Sequence, residues 1–427
     1  MSSNPKALIL CNDFPPLNSI GAERPYSWFL YFKKNGIEPI VITKNWILDG
    51  NSSFNKVSNE TVIEKTNNGL LIKTAFKLTP SLLWRKIFSN KLSTVKKALS
   101  LFEIFFSFIT TYFDKNRGIY FEAEKFLDKH KIDIIITTGE PFILFRYGYL
   151  LKKKYKIKWI ADYRDGWFLN HVTSLNKSYI VKALRKYEFY FEKKYTKHVD
   201  LITTVDPEMS MRLQKLLNKK SDYIYNGFWE FEDKVIESEN NSKLILNHTG
   251  TLTSGQRAEI LLDSLEDLIN DNKIKANEIE INFIGLEYFP EQLKRITRNR
   301  LLNNIINTTP RISKAEATAI NLKADYLVNF TDENLSAIYG KTYNYMACKK
   351  EILVIPDDNN QLGNLVKENN LGHVFKTKDQ LKNFIIEKVE LKKNRILNTN
   401  LSENESLNFF KRSIQAKIFC EKLMSLK

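Results

Sequence analysis

"IKWIADYRDGW", residues 157–167, decides how this chain is read. Ile157, Trp159, Ile160 and Ala161 make an apolar run of the kind that becomes a buried parallel strand. The run then releases Asp162, Tyr163, Arg164, Asp165, Gly166 and Trp167 within six residues. In open α/β sheets ligands bind at the carboxyl ends of strands, so this burst of charge marks one wall of a site. Ion pairing of Arg164 with Asp162 and Asp165, merely shaping a loop, is the competing reading.

Outward from that stretch, short apolar runs alternate with helical ones, which predicts parallel sheets built from βαβ units. The first half offers "KALILC", "IEPIVIT", "IDIIITT", "IKWIAD", "VDLITTV" and "DYIYN" as strands. Helices are expected near 22–35, 118–130, 141–154, 178–196 and 206–219. The second half restarts with "KLILNHTG", "IEINFIG", "IINTTP", "ADYLVNF" and "EILVIP". Its helices are expected near 256–270, 313–322, 338–348, 360–369 and 378–395. A polar, acidic stretch, "NGFWEFEDKVIESENNSK", separates the halves and places a boundary near 230–242. A chain of 427 residues exceeds what one core usually serves, so two domains are expected.

The excess of positive charge is lopsided. Residues 1–225 hold 37 Lys and Arg against 21 Asp and Glu, whereas residues 226–427 hold 28 of each. The entire net charge of +16 thus belongs to the first half, which suits an anionic membrane surface or a phosphorylated substrate. Nucleic acid is not expected, because no recognised binding motif accompanies the charge. Three scattered cysteines, Cys11, Cys348 and Cys420, fit a reducing compartment and read as small buried residues. "MSSNPKALIL" lacks the regions of a signal peptide, so the expected location is cytoplasmic, peripheral at the inner face of the membrane. Residues 81–121 break the rhythm with aromatics and lysines. Their most apolar part, 98–113, contains Glu103 and is shorter than the roughly 20 residues that span a bilayer. It reads as an amphipathic helix, on the membrane surface or lining an acceptor groove, or as a core helix with a basic face.

Four stretches stand where strand ends would carry a site. "NDFPPLNSIGAERPYSW" (12–28) follows the first strand, with Gly21 permitting close backbone approach. "TTGEPFILFRYG" (137–148) supplies Glu140 and Arg146, and His171 follows the opening stretch. In the second half, "HTGTLTSGQRAEILLDSL" (248–265) brings Arg257 to a helix start. "SAIYGKTYNYMACKKEILVIP" (336–356) brings Gly340 and Lys341 to another. Backbone amides at such starts, with Lys341 and Arg257, are suited to a diphosphate without a metal. The phosphate-loop pattern GxxxxGK[ST] fails, because residue 335 is Leu. No carboxylate pair or His/Cys cluster marks a metal site, and His130, His198 and His373 look incidental.

These residues together resemble the glycosyltransferases of GT-B fold, family 4-like, in the bacterial branch with an "aDfRDpW"-type motif. Here the motif reads "ADYRDGW", with Gly166 where that branch usually has Pro. "FPPLNSIGAER", "TTGEPF", "DLITTVDP", "YNGF", "HTGTLTSGQR", "FIG" and "YGKTYNYMA" follow in the expected order over nearly the whole chain. The resemblance implies two Rossmann-like, doubly wound parallel-sheet domains facing an interdomain cleft. These would be a basic acceptor-binding domain, 1–235, a nucleotide-sugar-binding domain, 236–402, and a last helix, 403–427, crossing back to the first.

It also implies a retaining, metal-independent transfer of a hexosyl group from a nucleoside-diphosphate sugar, with no cofactor. The acceptor is a glycan or lipid-linked glycan, in bacterial surface polysaccharide synthesis. By resemblance, Arg257 and Lys341 hold the donor diphosphate. Gly340, Thr342 and Gly21 add contacts, and Asn344 meets the ribose. Asp162 or Asp165 orients the acceptor hydroxyl or the sugar, with Arg164 fixing the carboxylates. The family's Glu-x7-Glu pair is replaced by Ser336 and Asn344, which removes a charge-assisted hydrogen bond. A catalytically degenerate GT-B-like partner and a GT-B-fold sugar-nucleotide epimerase are the alternatives.

Overall fold

A computed structural model describes residues 4–17, 19–47, 56–79, 93–170, 178–231, 242–299, 301–332, 336–357 and 361–426. The chain divides into two compact units, residues 1–225 with 413–427, and residues 226–412. The sequence had placed these exchanges at 235/236 and 402/403. Most of the acidic stretch between the halves, 232–241, lies outside the described residues.

The first unit's strands are β1 (Lys6–Leu10), β2 (Glu38–Lys44), β3 (Trp46–Ile47), β4 (Lys56–Val57) and β5 (Val62–Lys65). They continue as β6 (Leu70–Thr74), β7 (Ile134–Gly139), β8 (Lys158–Tyr163), β9 (Leu201–Thr204) and β10 (Ser221–Tyr223). Eight of them form one sheet in the order β10-β9-β8-β7-β1-β2-β6-β5, parallel except for β5, while β3 and β4 pair separately. The central strands are apolar throughout because both faces are covered. Ile119, Leu144, Phe145, Leu151 and Phe191 pack one face. Trp28, Phe29 and Phe32 of the helix Ile20–Tyr31 pack the other, beside Phe419, Cys420 and Leu423 of the helix Arg412–Met424. The sheet order reverses at β1, whose neighbours β7 and β2 leave the crevice in which such sheets hold ligands.

The second unit repeats the plan. Its strands β11 (Leu244–Thr249), β12 (Ile279–Ile284), β13 (Ile306–Thr308), β14 (Tyr326–Phe330), β15 (Ile352–Ile355) and β16 (Gly372–Val374) are all parallel. They lie in the order β13-β12-β11-β14-β15-β16, so the reversal falls between β11 and β14. The two passages of chain at the unit boundary are hydrogen-bonded to each other. The Phe228 amide donates to the Phe410 carbonyl at 2.9 Å, and the Arg412 amide to the Phe228 carbonyl at 3.0 Å. Gly227 sits between them at φ 69°, where a Cβ would lie 2.7 Å from the Phe410 oxygen. Only glycine meets both demands.

Two doubly wound parallel-sheet units are thus present, as expected. The helix expected within 81–121 begins in the described part at Ser93 and ends at Ser107. Residues 81–92 lie outside the described residues. Among the described residues no helix is long and apolar enough to cross a membrane.

Candidate active site

The opening motif divides where β8 ends, at Tyr163. Asp162 points into the core and is fully buried. It accepts from Arg24 (Nε 3.0 Å, Nη2 2.7 Å) and from the Thr203 hydroxyl at 2.8 Å. Arg24, itself buried, also donates to the carbonyls of Ile224 at 2.7 Å and Thr204 at 3.3 Å. The pair therefore ties the helix Ile20–Tyr31 to β8, β9 and the residue after β10. A buried ion pair needs its remaining hydrogen bonds satisfied, and this one has them. Asp162, expected as a catalytic candidate, has its carboxylate enclosed by these bonds.

Arg164 and Asp165 turn outward at the strand end. Arg164 donates from Nε to the Gly139 carbonyl at 2.7 Å and from Nη2 to the Glu140 carbonyl at 2.8 Å. Its Nη1 stands 3.6 Å from Asp13, whose carboxylate also accepts from Ser19 at 3.1 Å. Gly21 lies directly against this guanidinium, since a Cβ there would fall 1.5 Å from Arg164 Nη1. The close approach at Gly21 in this structure is thus made by Arg164. Asp165 and Glu140 are both exposed. Loss of water raises the Glu140 carboxyl above its ordinary range, and Asp165 and Asp13 raise it further against the opposing Arg164. The ends of β1, β7 and β8 thus gather Asp13, Gly21, Glu140, Arg164 and Asp165 at the first unit's reversal point.

Arg146 does not join them. On the helix Ile143–Tyr155 it is buried, donates to the Ile109 carbonyl at 3.0 Å, and faces Asp114. Burial raises the Asp114 carboxyl to about 6 and lowers Lys44 at the end of β2 to about 8. His171 lies outside the described residues.

In the second unit Lys341 occupies the reversal point. The helix Gly340–Ala347 begins without a side-chain cap, which leaves its first amides and positive dipole end for a ligand. Lys341 Nζ lies 3.0 Å from His248 Nε2 and donates to the Thr251 carbonyl at 3.0 Å. His248 sits in β11 with Nδ1 2.9 Å from the Val328 carbonyl. A carbonyl only accepts, so the ring proton sits on Nδ1 and the bare Nε2 accepts from the lysine. Burial, then Lys341, hold the imidazole well below its usual pKa. Burial alone brings the Lys341 ammonium down to about 7.

The other predicted donor residues lie on the same helix and on the loop that follows β11. Thr342 is buried, its hydroxyl accepting from Asn329 Nδ2 at 3.1 Å, and Asn344 is half-exposed on the same helix. Arg257 is exposed just before the helix Glu259–Asn270, and its amide meets the Thr331 carbonyl at 3.4 Å. Gln256 Nε2 donates to the Phe330 carbonyl at 2.7 Å, which seats this loop on the end of β14. Arg295 clamps the loop from outside, donating to the carbonyls of Thr253 at 3.0 Å and Gln256 and pairing with Glu259. The Ser336 carbonyl faces Gln361 Nε2 at 3.5 Å. Among the described residues no three His, Cys, Asp or Glu side chains gather as a metal would require.

Sequence reasoning missed Arg24, Asp13, Lys44, Asp114 and His248. The signal for Arg24 and His248 was a charged or titratable residue inside an otherwise apolar face or run. Asp13, Lys44 and Asp114 carried no local signal.

The arrangement defines the class: two doubly wound parallel sheets over nearly the whole chain are the GT-B fold. Sucrose-phosphate synthase from Thermosynechococcus elongatus superposes with a TM-score of 0.62 at 13% identity, over 99% of this chain and 100% of that one. HepE from Anabaena, in complex with UDP and glucose, gives 0.55 at 12% identity over 99% and 100%. The catalytic domain of starch synthase IV from Arabidopsis thaliana, bound to ADP and acarbose, gives 0.59 at 11% identity over 100% and 99%. No protein-family model matches the chain, and no curated protein sequence matches it.

Proposed function

We propose that the chain is a retaining, metal-independent glycosyltransferase of the family 4-like kind. It moves a hexosyl group from a nucleoside-diphosphate sugar to a hydroxyl of a glycan or lipid-linked glycan in surface polysaccharide synthesis. The observation that carries this reading is the Lys341 ammonium, held by His248 and Thr251 at an uncapped helix start where the second sheet reverses. As the bond from sugar C1 to the diphosphate oxygen breaks, charge grows on the leaving phosphate. Preorganised cations and amides at that position stabilise it. Lys341, the amides of Gly340 and Lys341, and Arg257 are the groups assigned to it. Asn344 is assigned to the ribose.

On the first unit the assigned acceptor side is the exposed pair Glu140 and Asp165. Arg164 fixes the loop between them, and Asp162 positions the strand end through Arg24. The glycan acceptor rests on the likeness in fold to enzymes of saccharide synthesis. Contact with an anionic membrane is supported by Leu101, Phe102, Phe105, Ile109 and Tyr112, exposed apolar side chains on a basic unit. Co-sedimentation with anionic but not neutral vesicles is expected. Equal binding to both, or to neither, removes the membrane from the proposal.

The test of the whole reading is a thermal-shift series with UDP, GDP, ADP, CMP and dTDP on wild type and Lys341→Ala. A nucleotide at about 100 times its dissociation constant stabilises by roughly 2.7 kcal/mol. One nucleotide should raise the melting temperature and Lys341→Ala should abolish the rise. Silence with all five favours the degenerate partner, to which Ser336 and Asn344 in place of two glutamates already point. Conversion of a sugar nucleotide without acceptor favours the epimerase.

A further inference from the structure

The turn that carries Arg164 and Asp165 is gripped by one face of the helix Tyr179–Thr196. Arg185, Glu188, Phe189 and Glu192 follow the spacing i, i+3, i+4, i+7, so they share that face. All four reach residues at or just past the end of β8. Arg185 Nη2 donates to the Phe168 carbonyl at 2.8 Å, and its guanidinium stands 4.9 Å from the Phe168 ring centre. Glu188 accepts from the Trp167 indole. Phe189 stacks on Phe168 with ring centres 4.1 Å apart. Glu192 Oε2 accepts from the Phe168 amide and Oε1 from the Tyr163 hydroxyl, each at 3.1 Å. One carboxyl group therefore holds both ends of the segment that contains Arg164 and Asp165. Trp167 in turn stacks on Phe142 of the loop after β7, the loop whose carbonyls Arg164 holds.

The fold alone does not call for an acid at this place. Glu192 is fully buried, and the charged group acting on it is Glu188, another acid. A buried carboxylate without a cation is costly. A glutamine would serve the same two groups, its oxygen accepting from the amide and its nitrogen donating to the phenol. What the acid adds is strength, because hydrogen bonds to a carboxylate are about twice as strong as neutral ones. Protonation would undo this. The new O–H would take the Tyr163 oxygen, and the buried phenol proton would lose its acceptor.

We infer that Glu192 is a positioning residue: as a carboxylate it fixes both ends of the turn, and with them the placing of Arg164 and Asp165. That the turn serves a sugar transfer rests on the transferase reading; the grip itself does not. The groups facing Glu192 are Tyr163 of β8, the Phe168 amide and Glu188 of its own helix. Burial raises its carboxyl to about 7, against the two hydrogen bonds, which favour the charged form. The Tyr163 phenol is itself raised well above its ordinary value and stays protonated. The grip is thus strong above pH 7 and weaker below.

Hydrogen exchange at the Phe168 amide from pH 5.5 to 8.5, on wild type and Glu192→Gln, tests this. Corrected for intrinsic rate, wild-type protection should rise about tenfold with a midpoint near 7. The Gln variant should stay flat at the wild-type value of pH 5.5. Global stability runs the other way. A carboxyl raised on folding loses its contribution as pH rises towards 7, so the Gln variant should gain on wild type up to 7 and level off above. Exchange that merely followed global stability would have the opposite sign. No rise in wild type, or the same rise in the variant, overturns the inference. Turnover of UDP-, GDP-, ADP- and dTDP-glucose is measured on the same proteins. The ratio of wild-type to variant kcat should climb from near one at pH 5.5 to about ten at pH 8.5, with KM alike. Lys341 and Glu140 are present in both proteins and cancel in that ratio. A flat ratio makes Glu192 structural only and also overturns the inference. Absence of turnover in wild type, with the exchange pattern intact, removes the transferase reading and leaves the positioning of the turn.

Discussion

Gly21 and Arg164 show how much of the site is decided by single residues. At Gly21 the constraint is space, because the Arg164 guanidinium lies where a Cβ would be. In Gly21→Ala the guanidinium must leave its bonds to the Gly139 and Glu140 carbonyls. Overpacking of this kind costs about 1–3 kcal/mol. The urea midpoint should fall accordingly, and sugar transfer should drop on the order of 100-fold as the loop shifts.

Lys341 carries a different prediction. Its ammonium is depressed to about 7 by burial, so the free protein loses that charge as pH rises through 7. A diphosphate prefers the charged form. Its affinity should therefore be highest below pH 7 and weaken by up to about tenfold per unit above it, until the remaining contacts set the floor. Calorimetric titration from pH 6 to 9 checks this, and a flat profile would place the phosphate elsewhere. In the sequence, Lys341 was legible because GK at a helix start before a strand has a mechanism. His248, which holds it, was hidden in "LILNHTG", where a histidine facing the neighbouring strand looks like any core residue. Asp162 was legible as a strand-end carboxylate, but its partner Arg24 lies 138 positions away, beyond any local pattern.

At the scale of elements, the loop Gly250–Arg257 is the piece to perturb. It is held by Gln256 on the Phe330 carbonyl and by Arg295 on two carbonyls and Glu259. Arg295→Ala should cost about 1.5–3 kcal/mol, the range for hydrogen bonds to a charged group. Nucleotide affinity should fall by more than the fold loses, because the freed loop carries Arg257. Binding that falls no further than stability would show the clamp to be structural only.

The helices and parallel strands of both sheets were legible because each is bounded by polar turns and carries one period throughout. The expected helices 178–196, 313–322 and 378–395 correspond to Tyr179–Thr196, Lys314–Leu322 and Lys378–Lys393. The antiparallel pair β5–β6 was not foreseen, although "TNNG" between "VIEK" and "LLIKT" is a hairpin signal. It lost to the βα rhythm on either side.

At the scale of the molecule, the first unit is completed by residues 413–427, which return after the whole of the second. Phe419 is fully buried against Trp28 and Phe32, with ring centres 5.1 and 5.7 Å away. Phe419→Ala should cost about 3–5 kcal/mol, and calorimetry should assign the loss to one of two transitions. The other transition, shifted by nucleotide, should stay where it is. A chain cut after Arg412 should keep the nucleotide-sensitive transition and lose the first.

That discontinuity also has a history in time. At roughly 5–20 residues per second, the 187 residues from Asn226 to Arg412 take about 10–40 s to synthesise. During that interval the second unit is free to fold as one continuous piece. The first unit waits with the apolar surface of Trp28 and Phe32 bare to whatever is nearby. The moment of greatest vulnerability in this protein's life thus comes before residues 413–427 exist, and a chaperone has most to protect at the exposed face of Trp28 and Phe32.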